Sequence, residues 1–123
     1  MDAAVAGTAG TSLAPIAGMR LNPDDRLTMA ATRFVRDAGD RARGEAVSAR
    51  LCLQCGSALG VRRHLTSLRA LAERRARIER HLLHTSSSAA RLRRAADAAL
   101  RALDAGSPAR LTRALARVEE LAQ

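Results

Sequence analysis

Apolar side chains recur at three- and four-residue steps through most of this chain, which is the spacing of one face of an α-helix. The first series runs from Leu27 through Phe34 and then through alanines to Leu53. Asn22-Pro23-Asp24-Asp25 stands before it and combines a preferred N-cap, a proline suited to the first helical position and two carboxylates at the positive helix end. The pattern predicts a long first helix with an inner seam of mostly small side chains.

A second apolar series begins after Gly56 and Gly60 and falls on heptad a and d positions, two of which are occupied by His64 and Arg75. Its members are Val61, Leu68, Leu71, Ile78 and Leu82, with Leu65 widening the stripe. The series predicts a second helix from about Val61 to His84. Because the break between the two helices is short, we expect a long hairpin with coiled-coil-like packing.

Two shorter helices are predicted after this hairpin. Thr85 and the serines at 86–88 supply a break and an N-cap, so a third helix begins near Ala89 and ends at Gly106. Ser107-Pro108 repeats a cap followed by proline, and the helix after it carries Leu111, Leu115, Val118 and Leu121. We therefore predict an all-α fold, a long helical hairpin plus two shorter helices, in a single domain over residues 22–123.

Residues 1–21 are mostly alanine, glycine, threonine and serine with Pro15, and have too few large apolar side chains to pack, so we expect a flexible, disordered arm. No stretch contains the roughly 18 consecutive apolar residues of a membrane span. Met1 to Met19 also lacks the basic and apolar regions of a secretion signal. We expect an intracellular, reducing location, in which Cys52 and Cys55 are thiols.

Composition changes this picture in two ways. All 21 basic residues are arginine, the formal net charge is +9, and Phe34 is the single aromatic residue. Much of the apolar share is alanine, which buries little area per residue, so we expect a modest core that a protein partner or self-association completes. The charge favours an acidic partner, whereas the replacement of lysine by arginine is more readily explained by a GC-rich genome than by phosphate recognition.

Two binding hypotheses follow. The first is a non-enzymatic helical adaptor or assembly factor that docks on partner proteins through the apolar stripe Leu65, Leu68, Leu71, Ile78 and Leu82. The alternative is nucleic-acid binding by Arg62, Arg63, Arg69, Arg74, Arg77, Arg80, Arg91, Arg93 and Arg94, on the basic face of the second and third helices. No recognised nucleic-acid-binding pattern or base-stacking aromatic accompanies these arginines, and a solvated helix surface also explains them. The adaptor is therefore the leading hypothesis.

One motif has a chemical interpretation, Cys52-Leu53-Gln54-Cys55-Gly56, because C-x-x-C-G is the spacing of half a zinc ribbon. His81 and His84 would be the other half, but a hairpin that turns near Gly56 places His81 roughly 30 Å from the cysteines. His64 is the nearer third ligand. We therefore predict no cofactor and keep Cys52, Cys55 and His64 as the candidate metal ligands. No side-chain set predicts an enzyme or a small-molecule substrate.

The opening Asn22-Pro23-Asp24-Asp25-Arg26-Leu27-Thr28, the Ala/Arg-rich helix that reaches Cys52 and the basic segments after it resemble the small helical tegument proteins of herpesviruses. The resemblance covers about residues 22–80 and rests on pattern and composition. It implies a virion tegument protein that aids the assembly or trafficking of other viral proteins in the host cytoplasm or nucleus. The chain departs from that family in residues 1–21, where the family has a basic helix before the Pro-Asp element.

Overall fold

The computed structural model describes residues 22–85 and 88–123, so the predicted flexible arm, residues 1–21, lies outside the described residues. The helices of the described part are α1 (Pro23–Gln54), α2 (Ala58–His81), α3 (Ala89–Asp104) and α4 (Pro108–Leu121). Those two ranges contain no strand. The prediction of an all-α fold, with a long hairpin followed by two shorter helices, is confirmed.

The starts of α1 and α4 follow the predicted caps, whereas Ser88 before α3 has helical backbone angles and makes no side-chain cap hydrogen bond. The Asn22 side chain accepts a hydrogen bond from the Asp25 N–H at 2.8 Å, and Pro23 occupies the first turn of α1. Ser107 caps α4 in the same way by accepting from the Arg110 N–H. Such a cap contributes about 1 kcal/mol because it satisfies a backbone donor that has no partner within the helix.

The predicted limits of α2 were wrong by three residues at each end. The helix begins at Ala58 because Ser57 serves as its N-cap and accepts from the Gly60 N–H. It ends at His81, where the N–H groups of residues 82 and 83 both donate to the Ile78 carbonyl and close the last turn. His84 lies beyond the helix with a φ of 53°, a left-handed conformation that ends the helical path.

The four helices pack in a ring, up-down-up-down, in which α1 and α3 each contact α2 and α4. The buried side chains of α1 are all small: Ala31, Ala38, Gly39, Ala42, Ala46 and Ala49. Those of α3 are alanines and Leu92. α2 and α4, which lie diagonally opposite each other in the ring, contribute the larger buried side chains. α2 buries Val61 and three leucines, and α4 buries Leu111, Leu115 and Val118. Large side chains from one diagonal thus fill the space that small ones on the other leave.

The helices differ in length, so the bundle does not cover α1 evenly. At 1.5 Å per residue the 32 residues of α1 extend about 48 Å, and the 14 residues of α4 about 21 Å. The last turn of α4 lies beside Arg43 and Val47, and the continuous core begins at Ala42. Residues 42–54 of α1, the covered part, are therefore packed by α2 and α4. Residues 23–41, the uncovered part, lie beyond the last turn of α4, and their buried residues are Ala31, Ala38 and Gly39.

Candidate functional site

The predicted docking stripe on α2 needs correction, because the chain buries most of it. Leu65 and Leu68 are 0% exposed and Leu71 is 6% exposed, all within the bundle. Ile78 is half-buried. The heptad periodicity therefore marked the face of α2 that packs against the protein's own helices. Among the five stripe residues, Leu82 alone is exposed.

A different apolar surface lies at the end of the hairpin where α1 begins. α1 is eight residues longer than α2, and every residue from Asn22 to Ala30 is exposed. Leu27 lies one turn before the buried Ala31 and so continues the packing seam of α1 past the end of α2. Because the two helices are antiparallel, Leu82 at the end of α2 lies at the same end of the molecule. We call Leu27, Leu82 and the first two turns of α1 the free end.

The nine predicted nucleic-acid-binding arginines fall into two groups. Four of them already have partners: Arg62 pairs with Asp104, Arg69 and Arg93 pair with Asp97, and Arg74 lies over the Phe34 ring at 5.3 Å from its centroid. The others are exposed and form no ion pair with a described residue; they are Arg63, Arg77, Arg80, Arg91 and Arg94. Three of the four arginines that have partners, Arg62, Arg69 and Arg74, lie on α2.

Two grooves run along the two sides of α3. The α2–α3 groove has a floor of Ala76 and Ala90, and its rim carries four arginines and Glu73. The α3–α4 groove has a floor of alanines and a rim of Arg101, Arg110 and Arg113, and no described carboxylate lines it. The sequence interpretation missed these three arginines. Arg101 continues the spacing of the arginines on the outer face of α3, so the sequence pattern could have identified it. Arg110 and Arg113 line the groove only because α4 packs beside α3.

A polar cluster joins α1 to α2 in the covered part. The Glu45 carboxylate accepts a hydrogen bond from the Ser67 hydroxyl at 2.6 Å, and its other oxygen lies 2.6 Å from His64 Nδ1. Burial alone would raise the pKa of Glu45, but hydrogen bonds from Ser67 and His64, together with the charges of His64 and Arg41, lower this pKa below its ordinary value of 4.5. Because Ser67 donates to Glu45, the cluster links α1 to α2 by hydrogen bonds and is not a serine–histidine pair.

The cysteine motif lies at the C-terminal end of α1. Cys52 is half-buried, and its Sγ sits so close to Gly60 that a Cβ there would lie 2.6 Å away, whereas Cys55 is exposed. The third candidate ligand, His64, has its Nδ1 against Glu45. Over residues 22–85 and 88–123, no three histidine, cysteine or carboxylate side chains are grouped closely enough to hold a metal ion. Cys52 serves instead as a packing contact between α1 and α2.

These features define a four-helix bundle with the free end, where Leu27 and Leu82 are exposed, at one pole and an arginine-lined α3 surface on its side. None of the described helices is long and apolar enough to cross a membrane. Comparison with known proteins gives no match to a family model, to a curated protein or to a solved structure.

Proposed function

We propose that this protein is a non-enzymatic helical adaptor that holds a partner protein at the free end. The observation that carries the proposal is the continuation of the α1 seam beyond α2, with Leu27 50% exposed and Leu82 38% exposed at the same pole. An apolar seam that runs past its own partner helix is the surface on which a helix from another protein would pack.

The energetics of the free end support this role. A helical segment that lacks tertiary contacts is marginal in water, because most helix stability in proteins comes from packing one apolar face. The strong cap at Asn22 keeps the two turns helical, but nothing in the described chain covers Leu27. A partner that buries Leu27 and Leu82 would therefore supply the apolar packing that this segment lacks.

The resemblance to small herpesvirus tegument proteins supports the same role, because it covers residues 22–80 and thus includes nearly the whole hairpin. Under this proposal the partner is another virion protein, and the adaptor acts in virion assembly or in the trafficking of that protein within the host cell. The free end, rather than the buried leucines of α2, is then the surface that binds this virion protein.

The test compares two matched double variants of the full chain. Leu27→Ser/Leu82→Ser removes the free-end surface, and Leu51→Ser/Leu59→Ser removes two leucines that are 48% and 71% exposed at the opposite end of the hairpin. Each tagged protein is crosslinked in cells and its bound proteins are quantified by mass spectrometry. We expect at least one protein to fall more than tenfold with the free-end variant and to be unchanged with the control.

An identical set of captured proteins for both double variants would contradict the proposal. Circular dichroism at 222 nm on each variant separates loss of binding from loss of fold, because all four leucines are exposed and their replacement should leave the helix content intact. Light scattering on the same proteins tells whether the lost partner is a second copy of the chain.

A second candidate function, nucleic-acid binding, is favoured by a separate observation. Five exposed arginines of the predicted set form no ion pair with the described residues, so their charge is available to an external anion.

A further inference from the structure

We infer that the surface formed by α3 and its two flanking grooves is a binding site for double-stranded nucleic acid, with the phosphates of one strand in each groove. The inference rests on the second candidate function and extends it to a defined surface, to arginines of α4 and to one class of nucleic acid. It is independent of the free end, which lies at the pole of the hairpin.

The charge of this surface is concentrated, and arginines outnumber carboxylates in it. Seven exposed arginines without an ion pair to any described residue lie on or beside α3: Arg77, Arg80, Arg91, Arg94, Arg101, Arg110 and Arg113. The acids of α3 already have partners: Asp97 binds Arg69 and the groove residue Arg93, while Asp104 binds Arg62. Among the described residues, Glu73 is the one carboxylate that lines either groove, and it lies on the α2 side.

The shape of the surface fits a duplex. The outer face of α3 presents Arg91, Arg94, Ala98 and Arg101 in a row that is one helix wide. A helix with its side chains is about 10–12 Å across, which matches the roughly 12 Å width of the B-DNA major groove. With α3 against that groove, the α2–α3 and α3–α4 grooves lie beneath the two phosphate backbones, and their alanine floors allow close approach.

Other anionic partners fit this surface less well. Single strands are held by stacking on aromatic rings, and the one aromatic residue of this chain, Phe34, lies on α1 beneath Arg74. A membrane surface requires bulky apolar anchors beside the basic residues, whereas alanines line the grooves here. An acidic helix carries its carboxylates along one ridge and would reach one groove at a time. A duplex, with one phosphate per roughly 1.7 Å of axis, reaches both.

The experiment measures the binding of the full chain to a fluorescent DNA duplex of about 20 base pairs by anisotropy, at several salt concentrations. Two groove variants, Arg77→Gln/Arg80→Gln/Arg94→Gln and Arg101→Gln/Arg110→Gln/Arg113→Gln, each remove three charges from one side of α3. The matched control, Arg26→Gln/Arg33→Gln/Arg36→Gln, removes three exposed charges without a described ion pair from the uncovered part of α1. Glutamine preserves helix propensity, so all three variants should fold.

We expect the affinity of the unmodified chain to fall about 10³-fold between 50 and 200 mM salt, as six or so phosphate contacts require. Each groove variant should weaken binding more than tenfold and reduce the slope of log K against log salt by about 2.7, since each lost phosphate contact removes about 0.9. The control should weaken binding less than threefold. The single strand of the same sequence should bind at least tenfold more weakly than the duplex.

Three results would overturn the inference, and they bear differently on the second candidate function. Equal losses for the control and groove variants would show that net charge, and not this surface, binds the DNA. Single-stranded DNA that binds as tightly as duplex would leave nucleic-acid binding intact but remove the duplex assignment. If a poly-glutamate peptide binds tightly and no DNA binds at about 50 mM salt, both proposals fail, and an acidic protein becomes the partner of the arginines.

Discussion

The covered and uncovered parts of α1 have the same kind of sequence but different surroundings. Both carry alanines at helical spacing, and both bury them against α2. Beside the covered part, α2 contributes Val61, Leu65 and Leu68, and α4 closes the core. Beside the uncovered part, α2 contributes Arg75 and Glu79, whose Nε and Oε2 atoms are 3.3 Å apart. A row of alanines on one helix can thus pack against either apolar or polar side chains. The residues of the opposing helix determine which kind fills the interface.

The difference implies that stability is concentrated in the covered part, while the uncovered part remains adaptable. Apolar burial stabilises by about 25 cal/mol per Å², and the core around the covered part holds the largest fully buried side chains. The uncovered part lies outside that core, and its contacts with α2 include the Phe34 ring beneath Arg74 and Gly39 beside Arg75. The four predictions that follow test this contrast.

The largest effect is expected from a leucine in the core beside the covered part. Leu65→Ala should lower the free energy of unfolding by about 3 kcal/mol, because the site is fully buried and leaves a cavity. Leu27→Ala, at the exposed end of the uncovered part, should change it by less than about 0.5 kcal/mol. Urea unfolding followed by circular dichroism measures both. Similar losses from the two variants would contradict the proposed division of stability.

A smaller loss is expected where Gly60 meets Cys52. Gly60→Ala should lower stability by about 2 kcal/mol, because the added Cβ would lie 2.6 Å from the Cys52 Sγ and 3.1 Å from its Cβ. The double variant Cys52→Ala/Gly60→Ala should recover part of this loss, since the closest atom is removed. If the two changes are instead additive in a double-mutant cycle, the contact does not join the helices as described.

Two glycines of α1 allow a matched comparison, because Gly39 lies in the uncovered part and Gly44 in the covered part. Gly44→Ala should raise stability by about 1 kcal/mol, because a Cβ there meets no other atom within 4 Å and alanine is the better helix former. Gly39→Ala should raise it less, since its Cβ would lie 3.3 Å from an Arg75 guanidinium nitrogen that must then move. Thermal unfolding of the two single variants measures the difference. Equal gains would mean that Gly39 provides no room for Arg75.

The smallest effect concerns pH. The pKa of Glu45 is lower in the folded chain than its ordinary value of 4.5, so the cluster stabilises the fold above about pH 4.5. This contribution is lost as pH falls below 4.5 and through the folded pKa of Glu45, because the unfolded chain then takes up the proton more readily. Glu45→Gln should flatten this part of the stability curve between about pH 5 and 3. An unchanged curve would exclude Glu45 as its source.

The sequence predicted the starts of α1 and α4 well because their signals are local. Asn22 and Ser107-Pro108 cap helices through hydrogen bonds to residues three positions on, so their effect is visible in the sequence itself. The end of α2 was predicted three residues late because no glycine or proline stands there. Leu82 and Leu83 continue the apolar pattern although the chain has left the helix.

The candidate sites were harder to predict because they depend on which helices become neighbours. The periodicity of Leu65 and Leu68 shows that one face of α2 is apolar, but not whether this chain or another protein covers it. Likewise, Arg110 and Arg113 belong to the α3 surface only because α4 packs beside α3. Local patterns determine the elements, whereas the assignment of a face to core or surface is a property of the assembled bundle.

The small-residue seam of α1 has a consequence for the axial register of the hairpin. Alanines at 38, 42, 46 and 49 present nearly the same profile after a shift of one turn, about 5.4 Å, so packing alone specifies the height of α1 weakly. Features that occur once along the seam help to set it, among them the Glu45 hydrogen bonds to α2 and the Cys52 contact with Gly60. A chain without both would depend more on the three-residue turn between α1 and α2 to keep α1 at its height.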